Sequence, residues 1–388
     1  MKILHTSDWH LGHTLYNYDR TEEQMSMLRQ MAAIVKDRQP DVFLLSGDVF
    51  HTSQPSSATQ RMFTDAIADI HQACPEMAIV VTAGNHDSAT KHEIFSTPWQ
   101  ALNVHVIGHV RRDHPESHLI ELPGKGWIIA VPYCYERSIP PHFFQQLIDL
   151  ALSRDTEELP IVMMAHTTVM GCDFTGHDQA TEMTVGGIDS LDIQALGQGY
   201  DYLALGHIHH EQWVKGSRHR IRYAGSPLPV SFDESYEHSV SWVEIDHHGD
   251  EVTLEKIPIV NPHPLVTLPA TRDTWAQGWD EAVQLLTEFP DDIPAYIRLN
   301  VAIEELPPVD ANTEAMAATE GKACRFCLTH FRRTSRERGE GPQMTVEEFQ
   351  SEAPIDIARR YAEDCGLTFD AGMDNLFTEV VRRLSDEE

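Results

Sequence analysis

The sequence predicts an α/β protein with a large core of two sheets and helices outside, followed by a small βαβ domain and an acidic helical tail. Three observations predict it. Short apolar runs of strand length alternate with amphipathic helical stretches over the first part of the chain. From Val104 to about Ile259 strand-like runs dominate, in a number that suits more than one sheet. Several of these runs end in Asp, Asn or His, at the carboxyl ends where open α/β sheets place their sites.

Taken in order, a strand over 2–6 is followed by a helical stretch from about Thr21 to Asp37, a strand over 41–46, a helical stretch from about Ser56 to Ala73, and a strand over 78–83. In the second helix Met62, Phe63, Ala66, Ile67 and Ile70 recur at three and four residues, which predicts a stripe facing the core. Strands are then expected at Val104–Ile107, Leu119–Leu122, Trp127–Val131, Ile161–Ala165, Tyr202–Leu205, Ile221–Ala224, Ser239–Ile245 and Val252–Ile257. Pro258, Pro262, Pro264 and Pro269 interrupt regular structure and predict a domain boundary near residue 262. Beyond it, Ile297, Leu299, Val301 and Ile303 alternate as in a half-buried strand, a helical stretch covers about Ala311 to Thr319, and a strand covers Cys324–Phe331. The expected division is 1–262, 263–340 and 341–388. The last segment carries twelve acids against four arginines, and Met373, Leu376, Phe377, Val380, Val381 and Leu384 make an apolar helical stripe within it. That stripe suits a docking helix for a partner from about Asp370 to Leu384, and suits closure of the chain's own core equally well.

Composition bounds the function. A formal net charge of −31 excludes a surface coated generally with nucleic acid, because phosphate binding depends on Lys and Arg. Local basic paths remain. Lys215, Arg218, Arg220 and Arg222 form one, a candidate phosphate track, and Arg325, Arg332, Arg333, Arg336 and Arg338 form another. Each reads equally as a solvated strand edge or hairpin. The start of the chain lacks the order of a signal peptide, and no apolar run approaches the ~20 residues that span a bilayer, so the expectation is a cytoplasmic protein with no membrane association. Six scattered cysteines do not make a disulfide framework. Cys324 and Cys327 stand three apart on an alternating run and so point to opposite faces, which argues against a zinc site.

The chemistry lies at the strand ends. Gly84-Asn85-His86-Asp87 follows the run Ala78–Val81, with a glycine for a tight turn, a carboxamide oxygen, an imidazole and a carboxylate. The same arrangement recurs where Ile3-Leu4-His5 leads into Asp8-Trp9-His10, Val42–Leu45 into Gly47-Asp48, Ile161–Met164 into His166, and Tyr202–Leu205 into Gly206-His207-Ile208-His209. Asp8 and His10, like His207 and His209, stand two apart and project to one side of an extended segment. Any one of these side chains reads as a satisfied polar residue at a loop end; five segments positioned alike do not. Asp, Asn and His without thiolate suit Mn²⁺, Fe or Zn, and the ligands outnumber the needs of one ion. Two ions sharing a carboxylate would use them all, an arrangement suited to attack of water on a phosphate ester.

With these residues in view, the chain resembles the calcineurin-like metallophosphoesterases, through Asp8-x-His10, Gly47-Asp48, Gly84-Asn85-His86-Asp87, His166 and Gly206-His207-x-His209. Ser7–Gly12, Gly47–Phe50 and Tyr223–Glu234 are similar, more narrowly, to the nuclease components of DNA-repair complexes within that superfamily. The resemblance implies a four-layer α-β-β-α sandwich with a small α/β capping domain and a helical tail. It implies one metal on Asp8, His10, Asp48 and His209 and another on Asp48, Asn85, His166 and His207, with Asp48 bridging. His86 would sit beside the scissile phosphate with Asp87 orienting it; His51, where many members have aspartate, would contact substrate or merely occupy a surface loop. DNA as substrate, two Mn²⁺ ions, 3′ to 5′ exonuclease and endonuclease activity, a large coiled-coil ATPase partner and a homodimer within a heterotetramer are further implications. The alternatives are a phosphoesterase for small nucleotides or phosphoproteins and a catalytically silent scaffold, against which the intact ligand set speaks.

Overall fold

Val42-Phe43-Leu44-Leu45 is apolar at every position, and its place in the fold accounts for that. In the computed structural model this run is β2 (Val42–Ser46), buried on both faces. Phe43 and Leu45 pack toward helices, while Val42 and Leu44 pack toward a second sheet. A strand covered on both sides carries a continuous apolar run instead of an alternating one. The structure describes residues 1–94, 96–135, 139–174, 190–270, 274–304 and 306–334, with scattered residues between 355 and 377. It divides into two units, Met1–Arg332 and Arg333–Glu388. The expected docking helix, from about Asp370 to Leu384, lies for the most part outside the described residues.

The elements of the first sheet are β1 (Lys2–Thr6), α1 (Thr21–Arg38), β2, α2 (Ser57–Ala73), β3 (Ala78–Thr82), the short α3 (Ala89–Glu93) and α4 (Ser96–Gln100), and β4 (Val104–Ile107). The second sheet is built from β5 (Leu119–Leu122), β6 (Gly126–Ala130), α5 (Phe143–Arg154), β7 (Ile161–His166), β8 (Tyr202–Gly206), β9 (Gln212–Trp213) and β10 (Ile221–Tyr223). The chain then returns to the first sheet as β11 (Ser239–Glu244) and β12 (Thr253–Pro258). Strand order is β12-β11-β1-β2-β3-β4 in one sheet and β5-β6-β7-β8-β10-β9 in the other. Neighbours from β1 to β4 are parallel, as are β6 to β7, β7 to β8 and β8 to β10. Parallel pairing brings the carboxyl ends of β1, β2 and β3 to one edge of their sheet and those of β7 and β8 to one edge of theirs. The two edges meet, because Ser46 Oγ donates to the Ala204 carbonyl (3.0 Å) and His166 Nδ1 lies 2.8 Å from the Ser46 carbonyl.

Three apolar clusters define four layers. Met27, Met31 and Val35 of α1 join Phe63, Ile67 and Ile70 of α2 over the first sheet. Ile3, Val42, Leu44 and Val80 meet Ile128, Val162, Met164 and Ala204 between the sheets. Phe143, Phe144, Leu147 and Ile148 of α5 cover Ile129, Met163 and Leu203. The α-β-β-α arrangement expected from sequence is therefore present. The stripe on α2 is Phe63, Ala66, Ile67 and Ile70, with Met62 at its half-buried margin; each large buried member contributes about 1.5–3 kcal/mol. Ser56 starts the helix by accepting from the Thr59 amide (3.1 Å), a cap worth about 1 kcal/mol.

A third sheet holds β13 (Leu265–Leu268), β14 (Ala276–Gln277), β15 (Tyr296–Ile303) and β16 (Arg325–Arg333), with α6 (Trp279–Glu288) and α7 (Ala311–Ala318). The alternation of β15 suggests half burial, yet the strand is buried almost throughout. Ile297, Leu299, Val301 and Ile303 pack with Ala282 and Leu286 of α6, while Tyr296 on the other face packs with Leu15 and Phe232. Tyr296 Oη donates to the Glu23 carboxylate (2.6 Å), and Tyr18 Oη donates to the Phe326 carbonyl (2.9 Å). Among the described residues no helix is long and apolar enough to cross a membrane.

Candidate metal centre

The residues after β1, β2 and β8 leave the sheets in an uncommon backbone conformation. Asp8, His10, Asp48 and His207 have φ of +53°, +44°, +49° and +99°. Non-glycine residues adopt the left-handed region at a cost of order 1–3 kcal/mol, so surrounding structure must hold them there. It does so by pairing the two loops: Asp8 N donates to Gly47 O (3.1 Å), His10 N to Asp48 O (3.0 Å) and Leu11 N to Val49 O (2.9 Å). The Asp8 carboxylate also accepts from the His207 amide (3.0 Å). Gly84 serves differently from the expected tight turn, since its φ lies outside the left-handed region. A Cβ there would stand 2.1 Å from Asp48 Oδ1, so the glycine makes room for the carboxylate.

The seven expected ligands come together. Asp8, His10 and His209 form one group, and Asp48, His166 and His207 another, each with its ligand atoms within 4.8 Å of one another. Asp48 Oδ2 stands between them, 3.8 Å from His10 Nε2 and 3.3 Å from His166 Nε2. Asn85 Oδ1 faces both His166 Nε2 (2.9 Å) and His207 Nδ1 (3.1 Å). His10 Nε2 and His209 Nε2 are 3.1 Å apart, a separation at which the two nitrogens can share one proton between them. Converging carboxylate, carboxamide and imidazole donors without a thiolate fit a pair of divalent cations of the Mn, Fe or Zn type.

The charges follow from burial and from the carboxylates. Burial opposes a charge on His166, but Asp48 outweighs it and holds the imidazole up at about 10. Burial likewise opposes charge on His209, and Glu234 outweighs it, holding that ring at about 9. His10 is driven well below its usual range by burial, against the pull of Asp48. His13 is lowered to about 2 by burial and by the neighbouring His51, and His51 is lowered by burial and by His86.

His86 and His51 lie beside the two groups. The His86 ring is edge-on to His10 (centroids 4.9 Å apart) and nearly parallel to His51 (5.7 Å, 21°). His86 Nδ1 lies 2.9 Å from the His51 carbonyl, which can only accept, so Nδ1 carries the hydrogen. Here the expectation for Asp87 is corrected. Its side chain is fully buried and accepts from the amides of Val49 (3.1 Å), Phe50 (2.9 Å) and Gly84 (2.9 Å), with His92 Nε2 at 3.2 Å. Asp87 ties the β2 and β3 loops together, and the His86 ring is oriented by the His51 carbonyl. A carboxylate brought beside three loop amides, two of them from the β2 loop, satisfies more hydrogen bonds there than on one ring nitrogen.

Two residues of the site went unread in sequence. His13 packs edge-on against His51 (4.6 Å) and lies 3.2 Å from Arg20 Nη1. Glu234 Oε1 lies 3.1 Å from His209 Nδ1. Only the coincidence of His13 with the Asp8-x-His10 segment signals the first, and the acid ending the Tyr223–Glu234 run signals the second.

The family model for calcineurin-like phosphoesterases matches residues 1–211, more than half of the chain. Proteins named as the SbcD component of the nuclease SbcCD are similar over most of its length. That of Rhodobacter capsulatus is 30% identical across 70% of this chain and 72% of its own. That of Bacillus subtilis is 31% identical across 79% and 80%. The chain belongs to the calcineurin-like phosphoesterase family, in its SbcD branch. The SbcD protein of Escherichia coli, 27% identical, aligns with 100% of this chain and 99% of its own, so the third sheet and tail lie within the family's length. Within this phosphoesterase fold the expected basic track departs from the site. β10 runs parallel to β8, with Ile221 opposite Leu203 and Tyr223 opposite Leu205, so the turn over Lys215–Arg220 lies at the amino end, opposite His207 and His209. Arg222 is buried on Glu211 and Ser241, and Arg220 is paired with Asp201. Of the second basic path, Arg325 is stacked on Tyr18 and Tyr296 and Arg332 on Trp275, while Arg336 and Arg338 lie outside the described residues.

Proposed function

We propose that this chain is a two-metal DNA nuclease in which one ion is held by Asp8, His10, Asp48 and His209 and the other by Asp48, Asn85, His166 and His207. The observation that carries the reading is the place of the Asp48 carboxylate, between a His10 and a His166 nitrogen that belong to separate ligand groups. Two divalent cations held there would supply a water of lowered pKa and neutralise charge on a phosphodiester. The chain's own part is to fix the donors before substrate arrives and to place His86 at the phosphate. With its Nδ1–H occupied by the His51 carbonyl, His86 presents Nε2 to the scissile group, where it stabilises charge or, when protonated, gives its proton to the leaving oxygen. His51, nearly parallel to His86, is the next imidazole along that wall and contacts the substrate strand. Asp87 supports both by holding the loops that bear them.

Kinship with proteins named as nuclease components supports hydrolysis of a nucleic acid over the small-nucleotide or phosphoprotein alternative. The finer reading is Mn²⁺ as the working metal, 3′ to 5′ exonuclease and endonuclease cutting in DNA repair, and work in the cytoplasm. A homodimer would act within a heterotetramer with an SbcC-type coiled-coil ATPase, docked through the acidic tail. The test is purified protein with Mn²⁺, or with chelator, on DNA labelled at either end and on a small chromogenic diester. Mn²⁺-dependent shortening from the 3′ end with internal cuts is the expected outcome. Hydrolysis of the diester with intact DNA would favour the alternative.

A further inference from the structure

Glu234 closes the Tyr223–Glu234 run and takes no part in the ligand set assigned above. It is buried, with 6% of its surface exposed. Its Oε1 accepts from the amides of Val230 (3.1 Å) and Ser231 (3.2 Å) and lies 3.1 Å from His209 Nδ1, while Oε2 accepts from Ser226 Oγ (3.1 Å). The loop that carries it is pinned on both sides. Arg20 Nη1 donates to the Pro229 carbonyl (2.7 Å), and Arg298 pairs with Asp233 (2.8 Å). A carboxylate held by three donors in a pinned loop arrives at His209 already oriented and without rotamer freedom to lose.

We infer that Glu234 is a positioning residue for the first ion alone: it holds the hydrogen of His209 on Nδ1, turns Nε2 into the space that Asp8 and His10 share with it, and places a carboxylate behind that ligand. The second group is backed differently. His166 Nδ1 faces the neutral carbonyl of Ser46 (2.8 Å). A ligand imidazole backed by a carboxylate is more basic than one backed by a carbonyl, and loss of such a partner weakens metal affinity by about 10–100-fold. The two ions are therefore bound unequally, and Glu234 governs one of them. This rests on the two-ion reading given above.

The test uses the full chain and Mn²⁺ alone, read by equilibrium dialysis and by electron paramagnetic resonance, with activity left aside. Glu234→Gln keeps the shape and an acceptor for the loop amides while removing the charge; Glu234→Ala removes both. One of two ions should weaken by about 10-fold in the first variant and about 100-fold in the second, the other staying within about twofold. The exchange-coupled signal of the pair should give way to a single-ion signal at intermediate Mn²⁺. Two ions bound as in the parent chain, or both weakened equally alongside a lowered melting temperature, would show that Glu234 only braces its loop. A parent chain that takes up fewer than two ions would instead overturn the two-ion reading itself, and this inference with it.

Discussion

Two regions of the second sheet carry clustered polar residues, and only one of them meets the Asp and His side chains of the first sheet. The carboxyl end of β8 delivers His207 and His209 to a cluster with Asp8, His10 and Asp48. The turn before β10, with Lys215, Arg218 and Arg220, lies at the opposite end of a parallel pair, roughly 15 Å away at about 3.3 Å per residue. Strand direction decides which cluster can act. Charge composition, which makes both stretches prominent in sequence, does not distinguish them. The same holds for Arg222, whose side chain leaves β10 toward Ser241 of the first sheet and is thereby a buried partner of Glu211.

The largest effect expected at the carboxyl end is that of Asp48→Ala. Loss of the carboxylate shared by both groups should remove both ions and abolish hydrolysis, as metal analysis and a diester assay would report. Two retained ions with near-normal turnover would mean that the groups are independent. Next comes a paired test that separates holding from chemistry. His166→Ala should lose metal, whereas His86→Ala should keep two ions and lose roughly 10²-fold or more in rate. Equal metal loss in both would place His86 among the ligands.

Asp87 sharpens the comparison within a single tetrapeptide. Of the adjacent residues His86 and Asp87, His86 lies against the rings of His10 and His51 while the Asp87 carboxylate turns onto loop amides, so Asp87→Ala should act through stability. Three loop amides would lose a charged acceptor, at a cost of about 2–4 kcal/mol, measurable by denaturant titration. Unchanged stability with lost activity would return Asp87 to a direct role. The smallest effect is expected at the amino end. Lys215→Gln with Arg218→Gln should leave DNA affinity within about twofold and its salt dependence unaltered. A clear fall would mean that DNA wraps to the far end of the sheet.

Legibility in the sequence followed the same division. Strands buried on both faces, such as Ile161–Met164, announced themselves by apolar runs, and their carboxyl ends by the ligands that follow. Two helices left unread, α5 and α6, lack a side-chain cap at their start. α5 begins after Pro140 and Pro141 at His142, which has a left-handed backbone and makes no side-chain cap, and α6 begins at an uncapped Gly278. The half-buried reading of β15 failed because pattern shows alternation and cannot show what covers the second face, which Leu15 and Phe232 supply from distant sequence. The Asp87 orientation failed for a related reason. A carboxylate next to a histidine in sequence has many possible partners, and the amides of Val49 and Phe50 become neighbours only when β2 and β3 pair.

Anomalous scattering from crystals of this chain grown with Mn²⁺ tests the shared-carboxylate centre most directly. Two peaks are expected, one among Asp8, His10 and His209 and one among Asn85, His166 and His207, with Asp48 between them. A single peak, or two peaks that leave Asp48 contacting only one, would contradict it.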